Sequence, residues 1–377
     1  MLATSGRFLR FTNCPLLSWW SVSALRKLNP FANIPTIMTA EEIIEFAHNK
    51  SVRISMKSSL RMKKIERTRI REITRLQEFA KQTKTKLSEA VEQFPSMDRL
   101  HPFYIELSEI LVGNDKLKQS LGAVYNCIPP IDDITDKHIQ AIKLADDFKQ
   151  MKKSRSAAKG RISSIIRATS KNIEFIIEAK KTLSRLPGIT PNSPTIVCAG
   201  FPNVGKSTLV REVSTAEPEV AYYPFTTKRV IIGHLRVDNH SVQIVDTPGI
   251  LDRPMAQRNE IEREAIAALK YLAHVIIFMI DPSEACGWTF EEQLNLLSEV
   301  QKMFAVNPLL IVLNKVDITP PDKLTAARER LPNCHEIVAL EGIGVDKLMR
   351  DAVDEVDLVP LEESVDDYLS SLSNRQS

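Results

Sequence analysis

The sequence predicts an α/β domain with a mainly parallel sheet, preceded by an all-α domain. Three observations carry this. Residues 41–187 place apolar side chains at helical spacing and hold glycine only at Gly113, Gly122 and Gly160. From Thr195 onward, short apolar runs alternate with helical segments, as parallel strands joined by crossover helices require. Between the two lies Pro187-Gly188-Ile189-Thr190-Pro191-Asn192-Ser193-Pro194, rich in residues that interrupt both element types.

In the first region Ile162, Ile165, Ile166, Ile173, Ile176 and Ile177 recur at helical spacing, and Ile70, Ile73, Leu76 and Phe79 do so less strictly. Pro95, Pro102, Pro129 and Pro130 mark helix boundaries, because proline lacks an amide proton and clashes inside a helix. In the second region the predicted strands are Thr195–Ala199, Val230–Val237, Val242–Val245, Val275–Ile280, Leu309–Leu313 and Glu336–Leu340. The expected bounds are a leader over 1–37, a helical domain over 38–187, a linker over 188–194, an α/β domain over 195–358 and an acidic tail over 359–377.

The chain has 377 residues and a formal net charge of +3, which conceals an asymmetry. Residues 1–187 hold 33 Lys and Arg against 19 Asp and Glu; residues 188–377 hold 17 against 28. Lys50–Lys86 alone carries 13 basic and 3 acidic residues, and Lys143–Lys181 carries 11 and 4. Such segments repel themselves unless an anion neutralises them, and nucleic acid is the expected partner. A solvated helix face, an acidic protein and a membrane surface are the alternatives. No aromatic stacking platform is evident, so recognition of folded RNA by shape and backbone is expected, and DNA is not.

Residues 1–40 contain Arg7, Arg10, Arg26 and Lys27 and no acidic residue, with Phe8, Leu9, Trp19 and Trp20 interleaved. This composition predicts an organelle transit peptide. A disordered tail, a signal peptide and a true start at Met38 are the rivals. Cys14, Cys127, Cys198, Cys286 and Cys334 are odd in number and form no CxxC pair, which predicts neither a disulfide framework nor a zinc site. The longest apolar runs fall far short of a ~20-residue span, so no transmembrane helix is expected.

Gly200-Phe201-Pro202-Asn203-Val204-Gly205-Lys206-Ser207-Thr208 fits the phosphate-loop pattern GxxxxGK[ST] and sits between a predicted strand and a predicted helix. Its backbone amides would cradle phosphates, Lys206 would reach the β/γ-phosphates and Ser207 would ligate Mg²⁺. Asp246-Thr247-Pro248-Gly249 follows another strand. Asp246 would hold Mg²⁺ through water, and the Gly249 amide would sense a γ-phosphate. Asn314-Lys315-Val316-Asp317 follows a third strand. The Asp317 carboxylate can accept two hydrogen bonds from guanine N1 and N2, a donor pair adenine lacks, so this motif selects GTP over ATP. Between the first two motifs, Phe225, Thr226 and Thr227 are expected at the nucleotide, with Thr227 completing the Mg²⁺ shell and Thr226 the second choice. Val338-Ala339-Leu340 stands where the last guanine-contacting motif belongs, with Val338 replacing a serine and the Ala339 amide facing the guanine oxygen. Ile250 stands where many small GTPases carry a water-orienting glutamine, which predicts slow intrinsic hydrolysis. Asn203 stands where several related GTPases ligate K⁺. The expected catalytic positions are Lys206, Thr227 and Gly249, and the expected cofactors are GTP/GDP and Mg²⁺, with K⁺ as a candidate.

Taken together, Gly200–Thr208, Tyr223-Pro-Phe-Thr-Thr-Lys228 with Gly233-His234, and Asp246-Thr-Pro-Gly-Ile-Leu-Asp252 resemble the Obg-like GTPases. Arg258-Asn259, Ile261-Glu262, Ala265-Ile266, Ala268-Leu269 and Asp281–Gly287 narrow the resemblance to the nucleolar GTP-binding protein (NOG) family. His101-Pro-Phe-Tyr104, Leu121-Gly122, Lys152–Arg161 and Leu183–Pro187 extend it into the helical region. The resemblance covers roughly residues 40–350. It implies a Ras-like P-loop GTPase domain and a helical domain contacting rRNA, acting in large-ribosomal-subunit maturation with pre-ribosomal particles and other assembly factors. The long C-terminal extension of eukaryotic nucleolar members is not present in this sequence. With the acid-free leader, that points to the mitochondrial matrix; the nucleolus and the cytoplasm are the alternatives.

Overall fold

The computed structural model describes residues 29–54, 62–189, 193–215, 218–221, 223–224, 229–237, 240–254 and 257–356. The expected site residues Phe225, Thr226 and Thr227, the leader up to residue 28 and the tail from residue 357 lie outside them. The chain divides into two compact units. One comprises residues 1–32, 101–110 and 185–377, and the other residues 33–100 and 111–184.

Among the described residues the second unit holds six α-helices: α1 (Ala40–Val52), α2 (Lys64–Glu92), α4 (Asn114–Tyr125), α5 (Ile128–Leu144), α6 (Phe148–Ala168) and α7 (Ser170–Leu183). Helix α1 begins in a capping box, in which Thr39 and Glu42 satisfy each other's backbone amides. Helix α2 is the central member and packs on α1, α4, α5 and α6. Its buried stripe is Glu72, Leu76, Phe79, Ala80, Thr83, Leu87 and Ala90. Of the predicted positions, Leu76 and Phe79 lie in that stripe, Ile73 is half-buried and Ile70 is exposed. The stripe also holds Glu72, which is buried as an ion pair with Arg155 Nε at 2.5 Å. On α6 and α7 the isoleucine pattern does form the core, with Ile162, Ile166, Ile173 and Ile176 fully buried.

The first unit contains the sheet, in the order β2 (Glu219–Ala221), β3 (Val230–Val237), β4 (His240–Asp246), β1 (Thr195–Ala199), β5 (Val275–Ile280), β6 (Leu309–Asn314) and β7 (His335–Ile337). Strands β2, β3 and β4 pair antiparallel; the other neighbours pair in parallel. Strands β1 and β5 are buried at every residue, as the central strands of a doubly covered sheet must be. The helices of this unit are α3 (Pro102–Val112), α8 (Lys206–Val213), α9 (Glu260–Ala268), α10 (Phe290–Met303), α11 (Pro321–Arg330) and α12 (Val345–Asp354). The mainly parallel α/β class is as predicted. The predicted strand Glu336–Leu340 is shorter: β7 ends at Ile337, and Val338 turns back to bridge Ile343.

Helix α3 groups with the sheet over residues 101–110. Tyr104 explains how it is held. Its buried hydroxyl donates to Pro187 O at 2.9 Å and accepts from Ile189 N at 3.2 Å. The Phe103 ring lies 6.3 Å from that of Tyr223. Asn29 and Phe31 belong to the same unit, with Asn29 Nδ2 donating to Leu186 O at 2.9 Å. A leader that ended at residue 37 would therefore take packed residues with it. Among the described residues, no helix is long and apolar enough to cross a membrane.

Candidate nucleotide-binding site

Strand β1 ends at Ala199, and residues 200–205 turn the chain into α8. The turn is built from left-handed backbone, with φ of 130° at Gly200, 64° at Asn203 and 109° at Gly205. A Cβ at Gly200 would overlap the Met279 carbonyl oxygen, and one at Gly205 would overlap Asn314 Nδ2. Glycine is required at both places by the conformation and by the close approach. Phe201, within the loop, is buried and stacks on Trp288 at 4.3 Å.

Lys206 is 5% exposed, and its Nζ donates to Gly200 O and Phe201 O, each at 2.7 Å. The ammonium is thus held over the loop where a phosphate would sit. Ser207 Oγ donates to Asp246 Oδ2. Asp246 is fully buried, and its Oδ1 has no hydrogen-bond partner among the described residues. Burial pushes the Asp246 carboxyl upward, opposed by the Lys206 charge and the Ser207 hydrogen bond. A buried carboxylate with one oxygen unsatisfied beside a hydroxyl is a hard-oxygen donor pair that fits Mg²⁺.

Asn314 ties three motifs together. Its Nδ2 donates to Val204 O at 2.8 Å, and its Oδ1 accepts from Ala339 N at 2.9 Å. The Ala339 amide, expected from the sequence at the guanine oxygen, donates to Asn314 in this structure. Lys315 has φ of 61° and pairs with the fully buried Asp281 at 2.7 Å.

These elements enclose a cavity of about 720 Å³. Of the predicted residues, Asn203, Gly205, Lys206, Ser207, Thr208, Asn314, Lys315, Asp317, Val338, Ala339 and Leu340 line it. Val204 contributes its carbonyl to Asn314 from behind the wall. Gly249 is held to one side: its amide donates to Asp252 Oδ2 at 2.7 Å, and its carbonyl accepts from Arg258 at 3.0 Å. Arg258 also lies 3.6 Å from Asp252 and is almost fully buried. Sequence reasoning assigned no role to Asp252, Arg258 or Asp281. Their signal in the sequence is membership of the segments Asp246–Asp252, Arg258-Asn259 and Asp281–Gly287 that carry the family resemblance. Arg229 and Ile318 also line the cavity without having been singled out.

A family model described as the NOG1 N-terminal helical domain matches residues 31–190, and one described as nucleolar GTP-binding protein 1 (NOG1) matches residues 260–317. The chain belongs to the nucleolar GTP-binding protein 1 family. It is 33% identical over 301 residues to nucleolar GTP-binding protein 1 of Drosophila melanogaster, covering 80% of this chain and 46% of that protein. It is 35% identical over 302 residues to an uncharacterized protein of Methanocaldococcus jannaschii, covering 79% of this chain and 84% of that one. The chain thus spans about half the length of its Drosophila relative and most of the archaeal one. A crystal structure of a putative nucleolar GTP-binding protein 1 from Plasmodium falciparum is similar at 33% identity and a TM-score of 0.40, covering 51% of this chain and 96% of that chain.

Proposed function

We propose that the protein is a GTP-binding and GTP-hydrolysing assembly factor of the large ribosomal subunit that binds rRNA through its basic helical unit. One observation carries the nucleotide part: phosphate-loop, guanine-reading and terminal-motif residues converge on a single cavity, and Asp246, buried and half-satisfied, lies behind its wall against Ser207. In this reading the loop amides and Lys206 bind the phosphates, and Asp317 reads guanine. Mg²⁺, held at Ser207, Asp246 and Thr227, would neutralise charge on the β/γ-phosphates. Leaving Asp252 would free the Gly249 amide to meet a γ-phosphate. Ile250 is buried and apolar, so hydrolysis is slow until an external group orients the water. Asn203 at the cavity wall is the candidate K⁺ ligand.

The rRNA part rests on the charge of the helical region and on the relatives' name. That name supports nucleolar assembly. The mitochondrial matrix is a second reading, favoured by the acid-free leader, which on this account ends before Asn29. The deciding experiment titrates the purified chain and its Lys206→Ala variant with GTP, GDP and ATP. Guanine-selective binding lost in the variant is expected; equal affinity for ATP would overturn the reading. The N-terminal residue of the native protein decides the compartment: an intact Met1 contradicts import.

A further inference from the structure

We propose that the helical unit holds one unpaired nucleotide of its RNA in a cavity between the first turns of α2 and α6; this rests on the RNA-binding reading above. The cavity is about 550 Å³, within the ~300–1,000 Å³ of small-ligand sites. Lys64, Arg67 and Arg71 line it from successive turns of α2, and Lys152 lines it from α6. Four cations thus converge from two helices. The one carboxylate in the lining is Glu72. It is already engaged by Arg155 Nε at 2.5 Å and Arg71 Nε at 3.3 Å. Asp147, which precedes Phe148 in the chain, is taken up in capping α6 through Gln150 N at 2.7 Å. Arg67 and Lys152 form no ion pair among the described residues, so their charge is left for an anion.

The same wall carries an exposed aromatic ring. Phe148 is 43% exposed, an unusual place for a phenylalanine at the first position of a helix. Lys64 Nζ lies 6.0 Å from its centroid, within cation–π range. Phosphate-binding cations around one exposed ring match a nucleotide splayed out of its stack, its base on the ring and its phosphates on the cations. A paired duplex would engage the cations and leave the ring uncovered. An acidic peptide would do the same.

The test uses the full chain with a short RNA duplex, fully paired or carrying one unpaired adenosine, read by fluorescence anisotropy. The wild-type chain should bind the bulged RNA about tenfold tighter, the worth of one base–aromatic stack. Phe148→Ala should lower bulged-RNA affinity to that of the paired duplex, and Phe148→Trp should retain the preference. Lys152→Glu should weaken both RNAs and flatten their salt dependence. Paired and bulged RNA bound equally by the wild type, or a preference intact in Phe148→Ala, would overturn the cavity assignment and leave RNA binding standing. No binding of either RNA would overturn both. Competition by polyglutamate as effective as by bulged RNA would overturn the assignment in favour of a protein partner.

Discussion

Asn314 Nδ2 donates to Val204 O at 2.8 Å, so the guanine-reading motif and the phosphate loop share one side chain. The same amide's oxygen takes the Ala339 amide hydrogen. Asn314→Ala would leave a buried carbonyl and a buried amide without partners, at a cost of about 1–3 kcal/mol each. Thermal unfolding without nucleotide should therefore occur at lower temperature, and GTP and GDP affinities should fall together.

Asp317 has a separable role, because it lines the cavity without supporting the loop. Asp317→Asn replaces two acceptor oxygens with one acceptor and one amide donor. Guanine loses its bidentate partner, and xanthine, with an oxygen in place of the 2-amino group, gains a donor. GTP affinity should drop roughly 10- to 100-fold, the worth of about 1–3 kcal/mol per bidentate pair, with xanthosine triphosphate favoured. Competitive titration of the two nucleotides checks this.

Much of this site is readable from the chain itself. Glycine at 200 and 205, lysine at 206 and asparagine at 314 are each dictated by local backbone and by spacing from a strand end. What is not readable comes from contacts between distant segments. Asp281 is 34 residues from its partner Lys315, and the Tyr104 hydroxyl reaches residues more than 80 positions away. Pro102–Val112 has no Lys or Arg and is more apolar than the helices beside it in sequence, but that composition does not say which elements it packs on, and it groups with the sheet. On α2 the spacing places Leu76 and Phe79 in the core, but not the buried carboxylate Glu72, which a hydropathy pattern scores as surface. Phe148 is not evident as a platform in the sequence because three of its four cations arrive from another helix.

The Asp246 carboxylate gives a third test. Asp246→Asn removes a charge that burial disfavours and that Mg²⁺ would compensate. The unliganded variant should be no less stable than the wild type. Its GTP affinity should fall in Mg²⁺, and the two chains should bind alike in chelator. A defect of equal size in chelator would show that Asp246 acts only through the fold.

Asp252 competes for the Gly249 amide. Asp252→Ala should raise the ratio of GTP-analogue to GDP affinity, because the amide is released. It should also lower stability, since the buried Arg258 loses its counter-charge. An unchanged affinity ratio would contradict a role for the Asp252–Gly249 hydrogen bond in restraining that amide.

Hydrolysis should be faster in K⁺ than in Na⁺, and Asn203→Ala should erase the difference. Phosphate release measured in the two salts at equal ionic strength decides it; equal rates in the wild type would contradict the K⁺ reading.

Burial lowers His234 to about 4, and its Nε2 is buried without a hydrogen-bond partner among the described residues. The folded chain holds this imidazole neutral, whereas the unfolded chain protonates it near pH 6.5. Between those values the unfolded state binds more protons, so stability is full above about pH 6.5 and falls as the pH drops toward 4. His234 contributes at most about 1.4 kcal/mol per pH unit to that slope. His234→Gln should flatten it in denaturant titrations between pH 7 and pH 4.

We propose further that guanine-nucleotide binding governs attachment to large-subunit rRNA. Crosslinking of the native protein in cells, with the bound RNA mapped against nuclear-encoded and mitochondrial rRNA, tests it most directly. The account predicts crosslinks concentrated on immature large-subunit rRNA of one compartment and strongly reduced in Lys206→Ala. Crosslinks spread over tRNA or messenger RNA, or unchanged in that variant, would contradict it.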